Sequence, residues 1–97
     1  MPVVKLSVKE DVIERELARR VHALGGRCEK VTVIGSRGFF DRIVLMPGGR
    51  IWFVELKRPR GGRLSEHQKQ YRDVYLALGA VVVLIKNSAD IDALLES

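Results

Sequence analysis

Phe39-Phe40-Asp41-Arg42-Ile43-Val44-Leu45-Met46-Pro47-Gly48-Gly49-Arg50-Ile51-Trp52-Phe53-Val54-Glu55-Leu56-Lys57 decides the fold. It reads as two apolar strands joined by a glycine turn, with Asp41, Glu55 and Lys57 at its ends. A strand that is apolar on both faces belongs in the middle of a sheet, covered from both sides. Ionised side chains are rarely buried there unless they pair with one another or bind a metal. Glu55 and Lys57 therefore mark a site. With Pro47-Gly48-Gly49 as a three-residue loop, glycine supplies the positive φ that such hairpins use. Met46 then faces Arg50, and counting back along the ladder sets Asp41 opposite Glu55. Directly opposed side chains have Cβ atoms roughly 5 Å apart. Lys57 shares their face because strand side chains alternate. A loop of another length would shift the register by one and turn Asp41 away.

Two carboxylates this close repel unless a cation lies between them. Mg²⁺ and similar hard ions take oxygen ligands, commonly one or two carboxylates with water and phosphate oxygens. Asp41 and Glu55 provide the pair, and the Leu56 backbone carbonyl offers a third oxygen. Lys57 falls where a phosphate and an attacking water would sit. The chemistry this suggests is metal-assisted hydrolysis of a phosphodiester. Without a metal, the same three residues form an ion-paired element of the fold, since structural networks imitate sites.

An acidic residue, about a dozen residues and then Glu-x-Lys after an apolar run resembles the PD-(D/E)xK nuclease superfamily. Within it, Gly38-Phe39-Phe40-Asp41-Arg42, Phe53-Val54-Glu55-Leu56-Lys57 and Leu64-Ser65-Glu66-His67-Gln68 resemble the VRR-NUC family, and the Gly79-Ala80-Val81-Val82-Val83 run fits it too. The likeness spans roughly residues 8 to 87 and implies a stand-alone nuclease domain occupying residues 1–97. That family usually carries proline immediately before the aspartate; here the residue is Phe40, a position that shapes backbone and ligates nothing. The resemblance implies a restriction-endonuclease-like fold and a Mg²⁺- or Mn²⁺-dependent DNA endonuclease leaving a 3′-hydroxyl and a 5′-phosphate. It implies a homodimer selective for branched DNA, with Holliday junctions as the leading substrate. It also places Gln68 at the active site, steering the water or phosphate. In related junction resolvases a helix glutamate precedes the helix-ending glycine by eleven residues. Glu14 before Gly25 matches that spacing and becomes a candidate ligand for a metal or water, with Glu10 second.

The remaining chain is compatible with this. Ninety-seven residues make one domain with modest core. Hydrophobic content of 46% and charged content of 30% are ordinary for a globular protein. No apolar run reaches membrane length and no signal pattern opens the chain. A lone cysteine, Cys28, excludes an internal disulfide and a Cys/His zinc set. The expected compartment is the cytoplasm, the host's for a chain of phage origin. A net charge of +5 favours polyanionic partners.

Ser7 to Leu24 reads as a first helix, with Ser7 and Glu10 at capping-box spacing and Val12, Ile13, Leu17, Val21 and Leu24 as its apolar stripe. Glu29 to Ile34 alternates like a strand. Arg37 and Arg42 flank Asp41, while Arg58-Pro59-Arg60-Gly61-Gly62-Arg63 follows Lys57. Arg37, Arg42, Arg58, Arg60 and Arg63 are candidate phosphate contacts, salt-sensitive and blind to sequence. Ser65 opens a second helix to Leu78, with Gln68 at capping-box spacing and Tyr71, Val74, Tyr75 and Leu78 as a buried stripe. Ala80 to Lys86 reads as a strand covered on both sides, reached by a right-handed crossover that makes it parallel. A short helix from Ser88 ends the chain. The expected fold class is α/β, a small mixed β-sheet flanked by helices in the order α-β-β-β-α-β-α. A second class of function, a nucleic-acid-binding module without catalysis, would keep this fold and the basic loop; a third, a structural or interaction domain, would use the acidic cluster for stability alone.

Overall fold

The structure is a computed structural model and describes residues 5–58 and 62–97. Its order is α1 (Lys5–Ala23), β1 (Arg27–Lys30), β2 (Arg42–Met46), β3 (Arg50–Leu56), α2 (Glu66–Ala77), β4 (Val81–Ile85) and α3 (Ser88–Leu95). The four strands make one mixed sheet in the order β1-β2-β3-β4, the arrangement expected from the sequence. β1, β2 and β3 are antiparallel neighbours, and β4 joins β3 in parallel after the α2 crossover.

The hairpin has the expected register. Met46 pairs with Arg50 and Arg42 with Val54. Gly48 and Gly49 take φ values of 90° and 83°, a region closed to most side chains, which is why two glycines follow Pro47. One face of the sheet buries Val44, Met46, Trp52, Val54, Leu56 and Ile85. Leu17 and Val21 of α1 and Ile91 and Leu94 of α3 close over them. Arg20 bridges the two helices, reaching Asp92 at 2.7 Å and Glu16 at 3.1 Å. The other face carries Phe53 and Glu55. There α2 packs through Tyr71 and Tyr75 against Phe39, Phe40 and Phe53, five rings meeting mostly edge to face.

Four local expectations are corrected. The first helix begins at Lys5, so Ser7 lies inside it and is no cap. In its stripe Leu17 and Val21 are buried, whereas Val12 and Leu24, toward its two ends, are exposed. The first strand covers residues 27–30, not 29–34. Its partner β2 stops at Arg42, opposite Lys30, so beyond Val31 the chain has nothing to pair with and Ile34 is 97% exposed. Finally, neither the α2 stripe nor β4 is fully covered. Val74 and Leu78 are 55% and 77% exposed, and Val81 and Leu84 lie open on β4, the edge of the sheet. A strand that reads as central is an edge strand here.

Candidate active site

Asp41 is fixed by its backbone before its side chain does anything. Its amide donates to the Val54 carbonyl at 3.0 Å, and its carbonyl accepts from the Val31 amide at 3.3 Å. Held between β1 and β3, it turns its Oδ2 to accept from the Leu56 amide at 2.8 Å. This places the Asp41 carboxylate beside that of Glu55, whose protonation it favours by its charge.

Glu55 is a buried carboxylate, 4% exposed. Its Oε2 accepts from the Gln68 side-chain amide and lies 3.8 Å from Lys57 Nζ. Its Oε1 is buried with no hydrogen-bond partner among the described residues. Burial pushes the Glu55 carboxyl up to about 8, and the neighbouring Asp41 charge adds to the shift; Lys57 and the Gln68 bond pull the other way without overcoming it. Glu55 borders a cavity of about 110 Å³ on this face, lined also by Phe40, Leu64, Val82 and Leu84 with Gln68 and Arg72.

Gln68 closes the cap of α2 and also reaches Glu55. Its Oε1 accepts from the Ser65 backbone amide at 2.8 Å while its own backbone N–H donates to Ser65 Oγ at 3.2 Å, a complete capping box. Its remaining donor is the one that reaches Glu55. The first turn of α2 thus sets the carboxylate's orientation.

The other candidates are distributed unevenly. Glu14 Oε2 accepts from Arg42 Nε at 2.6 Å, and Arg42 also donates to the Cys28 carbonyl at 3.1 Å. Each engages the other, and among the described residues no three His, Cys, Asp or Glu side chains gather as a metal-ligand group, so Glu14 does not join Asp41 and Glu55. Arg37, Arg58 and Arg63 are exposed, Arg58 next along the chain from Lys57. Arg60 lies outside the described residues, as does the side chain of Glu10. Two residues escape a reading by motif. Phe40, standing where the family carries proline, is 3% exposed and packs into the aromatic cluster beneath the cavity. Arg72 lines the cavity one helical turn after Gln68; the i, i+4 spacing was its sole signal.

The donor set fits a hard divalent cation. Two carboxylates lie side by side, and one oxygen is buried without a proton donor, an arrangement that costs free energy until a cation or a proton relieves it. A solved structure described as "VRR_NUC domain" superimposes with a TM-score of 0.86 at 32% sequence identity, covering 91% of this chain and 95% of its own. The chain belongs to the VRR-NUC family. Consistent with this, "Putative nuclease p44" of Acyrthosiphon pisum secondary endosymbiont phage 1 is 36% identical over 88 residues, which is 91% of this chain and 92% of that protein. No family model matches the chain. The chain is thus a nuclease domain of that family. No described helix is long and apolar enough to cross a membrane.

Proposed function

We propose that this VRR-NUC domain, taken as one unit over residues 1–97, is a Mg²⁺- or Mn²⁺-dependent endonuclease that hydrolyses branched DNA. Four-way junctions are its best substrate, and it acts as a homodimer in the cytoplasm of its host cell. The observation that carries the metal-dependent reading is the orphaned Glu55 Oε1 beside the Asp41 carboxylate. Asp41 and Glu55 would hold the ion, with the Leu56 carbonyl as a further oxygen. A divalent ion in that position supplies Lewis acidity and neutralises charge on a phosphodiester.

The chain's own residues account for the rest. Lys57 Nζ, tethered 3.8 Å from Glu55, positions the attacking water, assists its deprotonation and offsets phosphate charge. Gln68 keeps Glu55 aimed and steers the nucleophile. Glu14 would take a second ion or a water by exchanging Arg42 for it. Arg37, Arg58, Arg60 and Arg63 would hold phosphates on either side. The open edge strand β4, with Val81 and Leu84 exposed, supports the dimer, because a C2 pair can cover an open sheet edge with its own equivalent.

The test incubates the protein with labelled duplex, flap and four-way-junction DNA in Mg²⁺, Mn²⁺ or EDTA. Metal-dependent cuts that disappear in both Asp41→Asn and Lys57→Ala, with DNA binding retained, are expected. Binding without cleavage under all metals would leave a non-catalytic nucleic-acid module.

A further inference from the structure

A second concavity, of about 280 Å³, lies between the loop after β1 and the outer side of α2. Its floor is Tyr71 and Tyr75 with Val74, and its rim is Ser36, Arg37, His67 and Gln70. The floor is rigid. Tyr71 meets Phe39 edge-on at 5.2 Å and Tyr75 meets Phe53 at 5.0 Å, so both rings are locked by packing underneath. The rim is fixed as well: Ser36 Oγ and Tyr71 Oη are hydrogen-bonded. Gly38 seats the loop on the helix, for a Cβ there would lie 2.6 Å from His67 Cβ and 2.9 Å from the Gln68 amide nitrogen.

The groove shares the first turn of α2 with the candidate active site. His67 on its rim precedes Gln68, the residue that holds Glu55. We propose that this groove is a subsite for one unpaired nucleobase of the nucleic-acid substrate, adjacent to the scissile phosphate. The aromatic floor receives the face of the base, the Gln70 amide and His67 imidazole meet its polar edge, and Arg37 takes the neighbouring phosphate. Each part matches what single-stranded nucleic acid offers: aromatic rings for stacking beside a basic residue for the backbone. A base paired within duplex DNA keeps its faces stacked and cannot enter; a base at a branch point or in a flap can. The inference rests on the nuclease reading for the class of ligand, and it adds a reason for preferring branched over continuous duplex DNA.

The test measures binding in EDTA by fluorescence anisotropy, so that it does not depend on cleavage. A short single-stranded oligonucleotide is compared with the same strand carrying abasic residues, and with blunt duplex. The intact strand is expected to bind about 5- to 150-fold more tightly than the abasic one, the range for one base stacked on an aromatic ring. The surface substitution Gln70→Ala should reduce that ratio, and Tyr71→Ala, verified as folded by circular dichroism, should bring it to about one. Duplex affinity should stay within about threefold in Gln70→Ala, because that side chain meets a base edge and no phosphate. Equal affinity for intact and abasic strands overturns the proposal, as does an intact-to-abasic preference that survives both substitutions. A protein that discriminates the two strands but never cuts retains the groove and loses the endonuclease reading. One that cuts without discriminating retains the reading and loses the groove.

Discussion

At Glu55 the interests of folding and of chemistry conflict, and the conflict is measurable in the metal-free protein. Its carboxyl ordinarily titrates near 4.5 and in the fold is pushed up to about 8 by burial and by Asp41. Below about pH 4.5 both folded and unfolded chains carry the proton. Between there and about 8 the unfolded chain loses it while the folded one keeps it, so stability falls as pH rises and levels off beyond. Thermal melts in EDTA across pH 5–9 should show that slope, and Glu55→Gln, which cannot ionise, should flatten it and raise Tm at the alkaline end. The same substitution should abolish cleavage. Adding Mg²⁺ or Mn²⁺ should stabilise the wild type increasingly with pH, since a bound cation replaces the proton, and should leave Glu55→Gln nearly unmoved. Lys57→Ala should lower kcat by at least about 100-fold, as loss of a group that assists proton transfer does, with little change in metal-induced stabilisation. Residue types and order made these three positions legible in the sequence. The orphaned Oε1 was not, because it depends on which donors the folded chain brings to each oxygen.

Among the elements, α2 shows how local rules deliver a functional atom. Ser65 and Gln68 stop the helix from fraying, and the spare donor of that same cap holds Glu55. Gln68→Glu tests this coupling. Glutamate can complete a capping box equally well, so helix content should persist, but a third carboxylate against Glu55 should destabilise the metal-free protein more as pH rises. Gly38→Ala tests the other support of that turn. With φ at 78° and His67 Cβ 2.6 Å from where a Cβ would sit, alanine brings both left-handed strain and a clash. The strain alone costs about 1–2 kcal/mol, and displacement of the α2 N-terminus should reduce cleavage by more than the fall in Tm would explain. Capping signals and the glycine turn of the hairpin are properties of neighbouring residues, so the sequence displays them. The end of β1 is not such a property. Val31 to Ile34 have good strand composition, and what stops them is the lack of a partner once β2 ends at Arg42.

For the whole molecule, charge and open apolar surface set the expected behaviour toward partners. With a net charge of +5 and exposed arginines around Lys57, DNA binding should weaken steeply with salt. Replacing Arg58 or Arg63 with alanine should each reduce the log–log salt slope by about 0.9 if that side chain neutralises one phosphate of duplex DNA. Leu78→Glu and Val81→Lys place charge on the open edge. Light scattering should find wild-type dimers and monomeric variants that still fold, with symmetric double cutting of a junction lost; dimers that survive both substitutions would place the seam elsewhere.

By itself the sequence determined the element order, the hairpin register and the Asp41, Glu55 and Lys57 grouping. Each follows from alternation, turn geometry and the rarity of charge in an apolar strand, which act over a few residues. Burial and pairing between distant segments were decided only by the tertiary structure. It put β4 at an edge although five consecutive apolar residues suit an interior strand equally well. It turned Glu14 to Arg42, 28 positions away. It packed four rings, Phe39, Phe53, Tyr71 and Tyr75, against Phe40 on the side of the sheet that holds Glu55. Solvent access and charge pairing depend on what lies across a gap in space, and no window of neighbouring residues contains that information.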